Sequence, residues 1–184
     1  MEAICRQDCL EGFKVVPDAT GGNAIMDSPL FTSFHVAISL IAIVSGLIVL
    51  YGLLTANRMR AMTALFLVTT IATSVTGYFF HRDHILPSHI VGAISLVVLA
   101  AACVALYASG LRGGWRRVYV VSAVLALYLN VFVLVVQLFL KVPSLHALAP
   151  NGSEPPFVLV QGAVLVAFVA LAVLALRLFR LAVA

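Results

Sequence analysis

The chain has 184 residues, 63% of them hydrophobic and 10% charged, with a mean hydropathy of +1.14. That excludes an ordinary soluble domain, in which roughly half the residues are apolar and about a quarter charged. The net charge of +4 comes from basic residues gathered beside apolar segments, which fits anionic lipid headgroups and gives no reason to expect nucleic acid.

Residues 1–29 read as an extracytoplasmic tail. They hold five acids against Arg6 and Lys14, with Pro17, Gly21, Gly22 and Pro29 favouring loop. No basic start followed by an apolar stretch and a small-residue cleavage site is present, and Met26 is an alternative start. Cys5 and Cys9 are spaced as C-x3-C. That pair could close a disulfide or hold copper(I), and without a third ligand nearby the disulfide or an unstructured tail is the better reading.

Residues 30–180 follow as a single all-α transmembrane bundle. Five apolar stretches, 30–55, 61–80, 88–109, 118–140 and 157–176, each approach the ~20 residues that a helix needs to cross ~30 Å of hydrocarbon. Backbone groups in lipid must be bonded within the segment, so helix is the form expected, and the short alternating segments of a barrel are absent.

Charge placement predicts the threading. Arg58 and Arg60 follow the first span, Arg112, Arg116 and Arg117 follow the third, and Arg177 and Arg180 follow the fifth. No acid lies in those three regions, whereas all seven acids fall in the tail or the other two loops. Basic residues accumulate on the cytoplasmic side, which sets the N-terminus outside and the C-terminus inside.

Spacing also assigns packing faces, because small and polar residues gather where membrane helices meet. Such stripes are His35, Ser39, Ala42 and Gly46 on the first span, and Thr70, Thr73, Gly77, His81 and His84 on the second. His89, Gly92 and Ser95 begin one on the third, and Ser122, Ala126, Asn130, Val133 and Gln137 form one on the fourth. The fifth has only Gln161 as a polar residue and is expected at the periphery. Asn130 and Gln137, with Tyr128 nearby, are expected to bond across to the threonines of the second span. A quinone headgroup or small polar substrate is the alternative use for them. Trp115 and Tyr119 read as interfacial anchors, and the loop 141–156 as a segment that could fold over the bundle's outer mouth.

The chemistry-bearing residues gather at the outer ends of the spans. His35 lies ~12 Å outward of the first span's midpoint, His89 ~14 Å outward of the third's, and His81 at a similar level. Imidazole is a common ligand for haem iron, zinc and copper. A haem b could therefore sit between His35, His89 and either His81 or His84, with Arg82 on a propionate and Gly46, Gly77 and Gly92 leaving room for the ring. A copper or zinc ion held by His35, His84 and His89 is the second option. The structural alternative is that these rings merely rest at the headgroup boundary, where histidine costs little. His146 lies in a loop and is the weakest candidate, and Cys103, among alanines, reads as a packing residue. The spans contain no Asp, Glu, Lys or Arg near their centres, which disfavours an ion-coupled transporter or permease. No phosphate-binding loop, nucleophile elbow or zinc-protease helix is present, so an enzyme is not expected.

The stretches Thr73-Ser74-Val75-Thr76-Gly77-Tyr78-Phe79-Phe80, Leu86-Pro87-Ser88-His89, Leu127-Tyr128-Leu129-Asn130-Val131-Phe132 and Ser153-Glu154-Pro155-Pro156-Phe157 carry a resemblance. They are similar to a group of small five-helix bacterial inner-membrane proteins of uncharacterised activity, over most of residues 30–180. The resemblance implies an inner-membrane location in a Gram-negative bacterium and brings no activity with it. The chain departs from di-haem b-type cytochromes, which carry histidines at both membrane faces, so at most one haem is expected here. The function expected is binding or electron transfer through one haem or metal ion. The alternative is a cofactor-free accessory subunit or assembly factor, with a membrane protein or a second copy as partner.

Overall fold

The computed structural model describes residues 29–79 and 87–179, with side chains in the third helix described from Ile90 onward. Cys5, Cys9, His81, Arg82 and His84 lie outside the described residues, as does the side chain of His89.

All regular structure among the described residues is helical. Helix α1 is Pro29–Leu54, α2 is Arg60–Gly77, and α3 is Pro87–Cys103, continued by a π-helical turn over Val104–Ala108. Helix α4 is Trp115–Lys141, α5 is the single turn Pro143–His146, and α6 is Pro155–Leu178. A proline opens α1, α3, α5 and α6, where its missing N–H costs nothing and its fixed φ suits the first turn. The ends use left-handed residues. Ala56 (φ 55°) stops α1, and Gly110 (φ 58°) with Leu111 (φ 62°) stops the helix after the π turn. Val142 turns extended ahead of Pro143, as the residue before a proline prefers.

Four helices are long and apolar enough to cross a membrane: α1, the stretch Ile90–Ala108 of α3 with its π turn, α4 and α6. The chain thus has the make-up of a multi-pass membrane protein. The expected second span is the difference, because α2 is only 18 residues long and does not reach that hydropathy. Five threonines and Ser74 lower it.

Helices α1 to α4 make a ring in which each packs on the next and α4 returns to α1. Helix α6 leans on α4 with a smaller contact to α1, which puts it at the periphery as its sequence indicates. The shared core is built from Leu50, Leu53, Phe66, Leu99, Val120 and Leu127, all nearly inaccessible. A second small cluster joins Val135 and Phe139 of α4 to Ala149 in the following loop, with Phe157 set edge-on to Phe139 at 5.3 Å. The loop after α4 therefore packs along α4 and α6.

Helix α2 is tied to its neighbours by hydroxyls. Ser74 Oγ donates to Ser95 Oγ of α3 at 3.1 Å, and Asn130 Nδ2 of α4 donates to Thr70 Oγ1 at 3.2 Å. Thr63 Oγ1 meets the Tyr119 hydroxyl of α4 at 3.4 Å. Two of these links cross the ring diagonally, from α2 to α4. The low hydropathy of α2 is therefore turned inward.

Candidate functional site

The two ends of the ring differ in chemistry. At the histidine end, α1 carries His35 on the face that meets α2. Its imidazole is half-buried, and its Nδ1 lies 2.8 Å from Thr76 Oγ1. Thr76 has one hydroxyl proton, and that proton points to the Ala72 carbonyl of its own helix at 2.7 Å. Oγ1 thus faces the ring as an acceptor. With Oγ1 as the acceptor, Nδ1 is the donor of this contact, which ties the ring to α2. Metal-bound imidazoles are commonly oriented this way, with the non-ligating N–H held by a second group. Gly77 lies beside the ring, where an added Cβ would make an ordinary contact 3.8 Å from His35 Cε1.

Other expectations for this end need correcting. The notches at Gly46 and Gly92 are already filled. A Cβ on Gly46 would stand 2.6 Å from Leu127 Cδ1 and 2.8 Å from Phe66 Cε2, and one on Gly92 would stand 3.3 Å from the Tyr78 ring. Neither glycine leaves room for a macrocycle. Gln137 is exposed and does not join Asn130 in bonding α2. His146 stands exposed on α5. Among the described residues no three His, Cys, Asp or Glu side chains come together as a metal site. The expected ligands His84 and His89, the alternative His81, and Arg82 lie outside the described side chains.

At the other, basic end lies a feature that the residue pattern did not reveal. A cleft of about 250 Å3 opens between the α1–α2 turn, the π-helical turn, the start of α4 and the end of α6. Its polar wall is Arg58, Arg60, Thr63 and Tyr119, and its apolar wall includes Leu53, Leu106 and Phe179. Tyr119 is 3% exposed, so it is a buried cleft residue and not the interfacial anchor expected; Trp115 does stand exposed. The Phe179 ring lies 6.3 Å from that of Tyr119. Arg116 Nη1 donates to the Phe179 carbonyl at 2.8 Å, which closes the end of α6 against α4. One signal in the sequence pointed here. Tyr119 continues inward the buried register of Ala123, Ala126 and Leu127.

No protein family, curated protein or solved structure matches this chain. What the fold defines is a class, a helical chain with the make-up of a multi-pass membrane protein and a basic, cleft-bearing end.

Proposed function

We propose that this protein holds one transition-metal ion, copper or zinc, between its helices at the histidine end. His35 is the anchor ligand, and His84 and His89 complete the set, with His81 as the alternative to His84. The observation that carries this reading is the placing of His35: half-buried on the face toward α2, with Nδ1 hydrogen-bonded to Thr76 Oγ1. The spacing of the other histidines along the second and third spans supports it from sequence. The filled notches at Gly46 and Gly92 favour a compact ion over a haem.

The protein is read as a bacterial inner-membrane component with five spans, its N-terminus and histidine end outside and its arginine-rich end in the cytoplasm. The metal would then face the periplasm, where a site of imidazoles serves binding, delivery or electron transfer.

The test is metal analysis and an absorption spectrum of the full chain purified in mild detergent. About one copper or zinc per chain is expected, with loss of most of it in His35→Ala while helical content is kept. A Soret band would replace the ion by a haem. No stoichiometric metal, together with a partner that co-purifies, would leave the cofactor-free accessory role standing.

A further inference from the structure

The cleft at the basic end answers to none of this chemistry, and it lies ~28 Å along α1 from His35, since 19 residues separate His35 from Leu54. We propose that it binds the phosphate of an anionic phospholipid, with the headgroup between Arg58 and Arg60 and the first carbons of the tails along Leu53, Leu106 and Phe179.

Three observations converge on that occupant. The first is charge. Arg58 and Arg60 line the cleft, and among the described residues no acid lines it or pairs with either of them. Glu154, the one acid described, sits at the far end of α6, ~36 Å away by helix rise. Guanidinium groups present several donors in a fixed fork and suit phosphate oxygens. The second is the donor set behind them. The Thr63 and Tyr119 hydroxyls are buried in the same wall. Their mutual contact is long at 3.4 Å, so either hydroxyl can turn toward an oxyanion at little cost.

The third is the shape and its cause. The π-helical turn Val104–Ala108 carries Leu106 and Tyr107 into the lining. Such turns shift a helix's side chains out of the regular register and recur where a helix serves a ligand. The resulting cleft, about 250 Å3, is below the ~300–1,000 Å3 of a pocket for a whole drug-sized molecule. It takes a headgroup and leaves the tails in the bilayer. One wall is apolar, which a free anion would not use.

The experiment is native mass spectrometry and lipid titration of the full chain. Detergent-purified protein is mixed with phosphatidylglycerol or phosphatidylcholine, and separately with inorganic phosphate. The expected result is one tightly retained phosphatidylglycerol that phosphatidylcholine does not displace and millimolar phosphate does not remove. The double variant Arg58→Gln/Arg60→Gln should bind it about twenty-fivefold more weakly, taking roughly fivefold for each arginine near a lipid headgroup. Arg177→Gln, an exposed arginine outside the cleft, should leave binding within about twofold.

Equal retention of the two lipids by the wild-type chain would overturn the proposal, and that arm needs no variant to fold. Equal loss in Arg177→Gln would reduce it to diffuse surface attraction. Displacement of the lipid by phosphate alone would assign the cleft to a soluble anion instead. None of these outcomes depends on metal content at the other end.

Discussion

Gly46 sets how closely α1 approaches the rest of the ring, because hydrogen is the largest group that fits between it, Phe66 and Leu127. Phe66 and Leu127 are 1% exposed, so neither can yield into open space. Gly46→Ala should therefore cost about 1–3 kcal/mol, the usual range for overpacking. Gly162→Ala is the matching control, since no atom lies within 4 Å of its added Cβ. Removing a flexible glycine from α6 should be neutral or stabilise by up to about 1 kcal/mol. Thermal unfolding of both variants in one detergent checks the pair, and equal melting shifts would show that the notch is not tight. The sequence stripe marked Gly46 as a packing position, and this much was legible. Which side chains fill the notch was not, since that depends on the relative rotation of three helices. Outside the bundle, Glu154 gives a second prediction at this scale. The Asn151 amide donates to its Oε1 at 3.0 Å, as does the Asn151 side chain, and the Ser153 amide donates to Oε2 at 2.9 Å. These bonds to the ionised form, the Asn151 backbone first, hold its carboxyl below the ordinary glutamate range. A lowered folded pKa means the anchorage is complete above the free side chain's pKa of about 4.3. It is lost as pH falls through the lower folded value. The amide shifts of Asn151 and Ser153 should move together with an inflection below that point, and Glu154→Gln should abolish it. An inflection above it would contradict the bonding.

Between elements, the informative contact is the diagonal one from Asn130 of α4 to Thr70 of α2. Lipid supplies no hydrophobic drive for helices to associate, so packing and interhelical bonds carry a larger share of the specificity. A double-mutant cycle of Thr70→Val and Asn130→Leu should give a coupling of about 0.6 kcal/mol, and not above about 1.7 kcal/mol. Read by unfolding in mixed micelles, a coupling near zero would mean that the link is incidental. This pairing could be anticipated, because Asn130 is a strong polar group in an apolar span and the threonines of α2 form the facing stripe. The same reasoning failed for Gln137, two turns further on, for a geometric reason. Around that turn the buried residues of α4 are Val135 and Phe139, packed on Ala149 and Phe157. Each lies two positions from Gln137, about 200° around the helix, so Gln137 points away from the contact. The buried face of α4 thus changes partner along its length, from α2 near Asn130 to the loop and α6 near Phe139. A stripe extrapolated from one partner cannot foresee that change, and the π turn that aims Leu106 and Tyr107 into the cleft was equally invisible to a 3.6-residue period.

For the molecule as a whole, the open matter of threading turns on α2. By hydropathy it is not among the four helices apolar enough to span, and a four-span chain would put the two arginine turns on opposite sides of the membrane, where a five-span one puts them together. The packing argues for five. His35 of α1 meets Thr76 at one end of α2, and Gly46 of α1 meets Phe66 nearer the other. The two helices therefore run side by side in opposite directions through at least ~16 Å of α1, the rise from residue 35 to residue 46. If α1 crosses the hydrocarbon, α2 crosses beside it. Thr63, Thr70, Ser74 and Thr76 meet Tyr119, Asn130, Ser95 and His35 in turn, and Thr73 Oγ1 is buried without a partner, so these groups are not presented to lipid. Three single cysteines decide it, in a background with Cys5, Cys9 and Cys103 replaced. Five spans put Asn57→Cys and Gly113→Cys on the same face, and Ser153→Cys on the opposite one. Four spans, with α2 lying outside the hydrocarbon, separate Asn57→Cys from Gly113→Cys. With a membrane-impermeant maleimide on intact cells, Ser153→Cys alone should react, and the other two should react only after lysis. Labelling of either Asn57→Cys or Gly113→Cys, but not both, without lysis would show α2 failing to cross, and the arginines of the two turns would then lie on opposite faces.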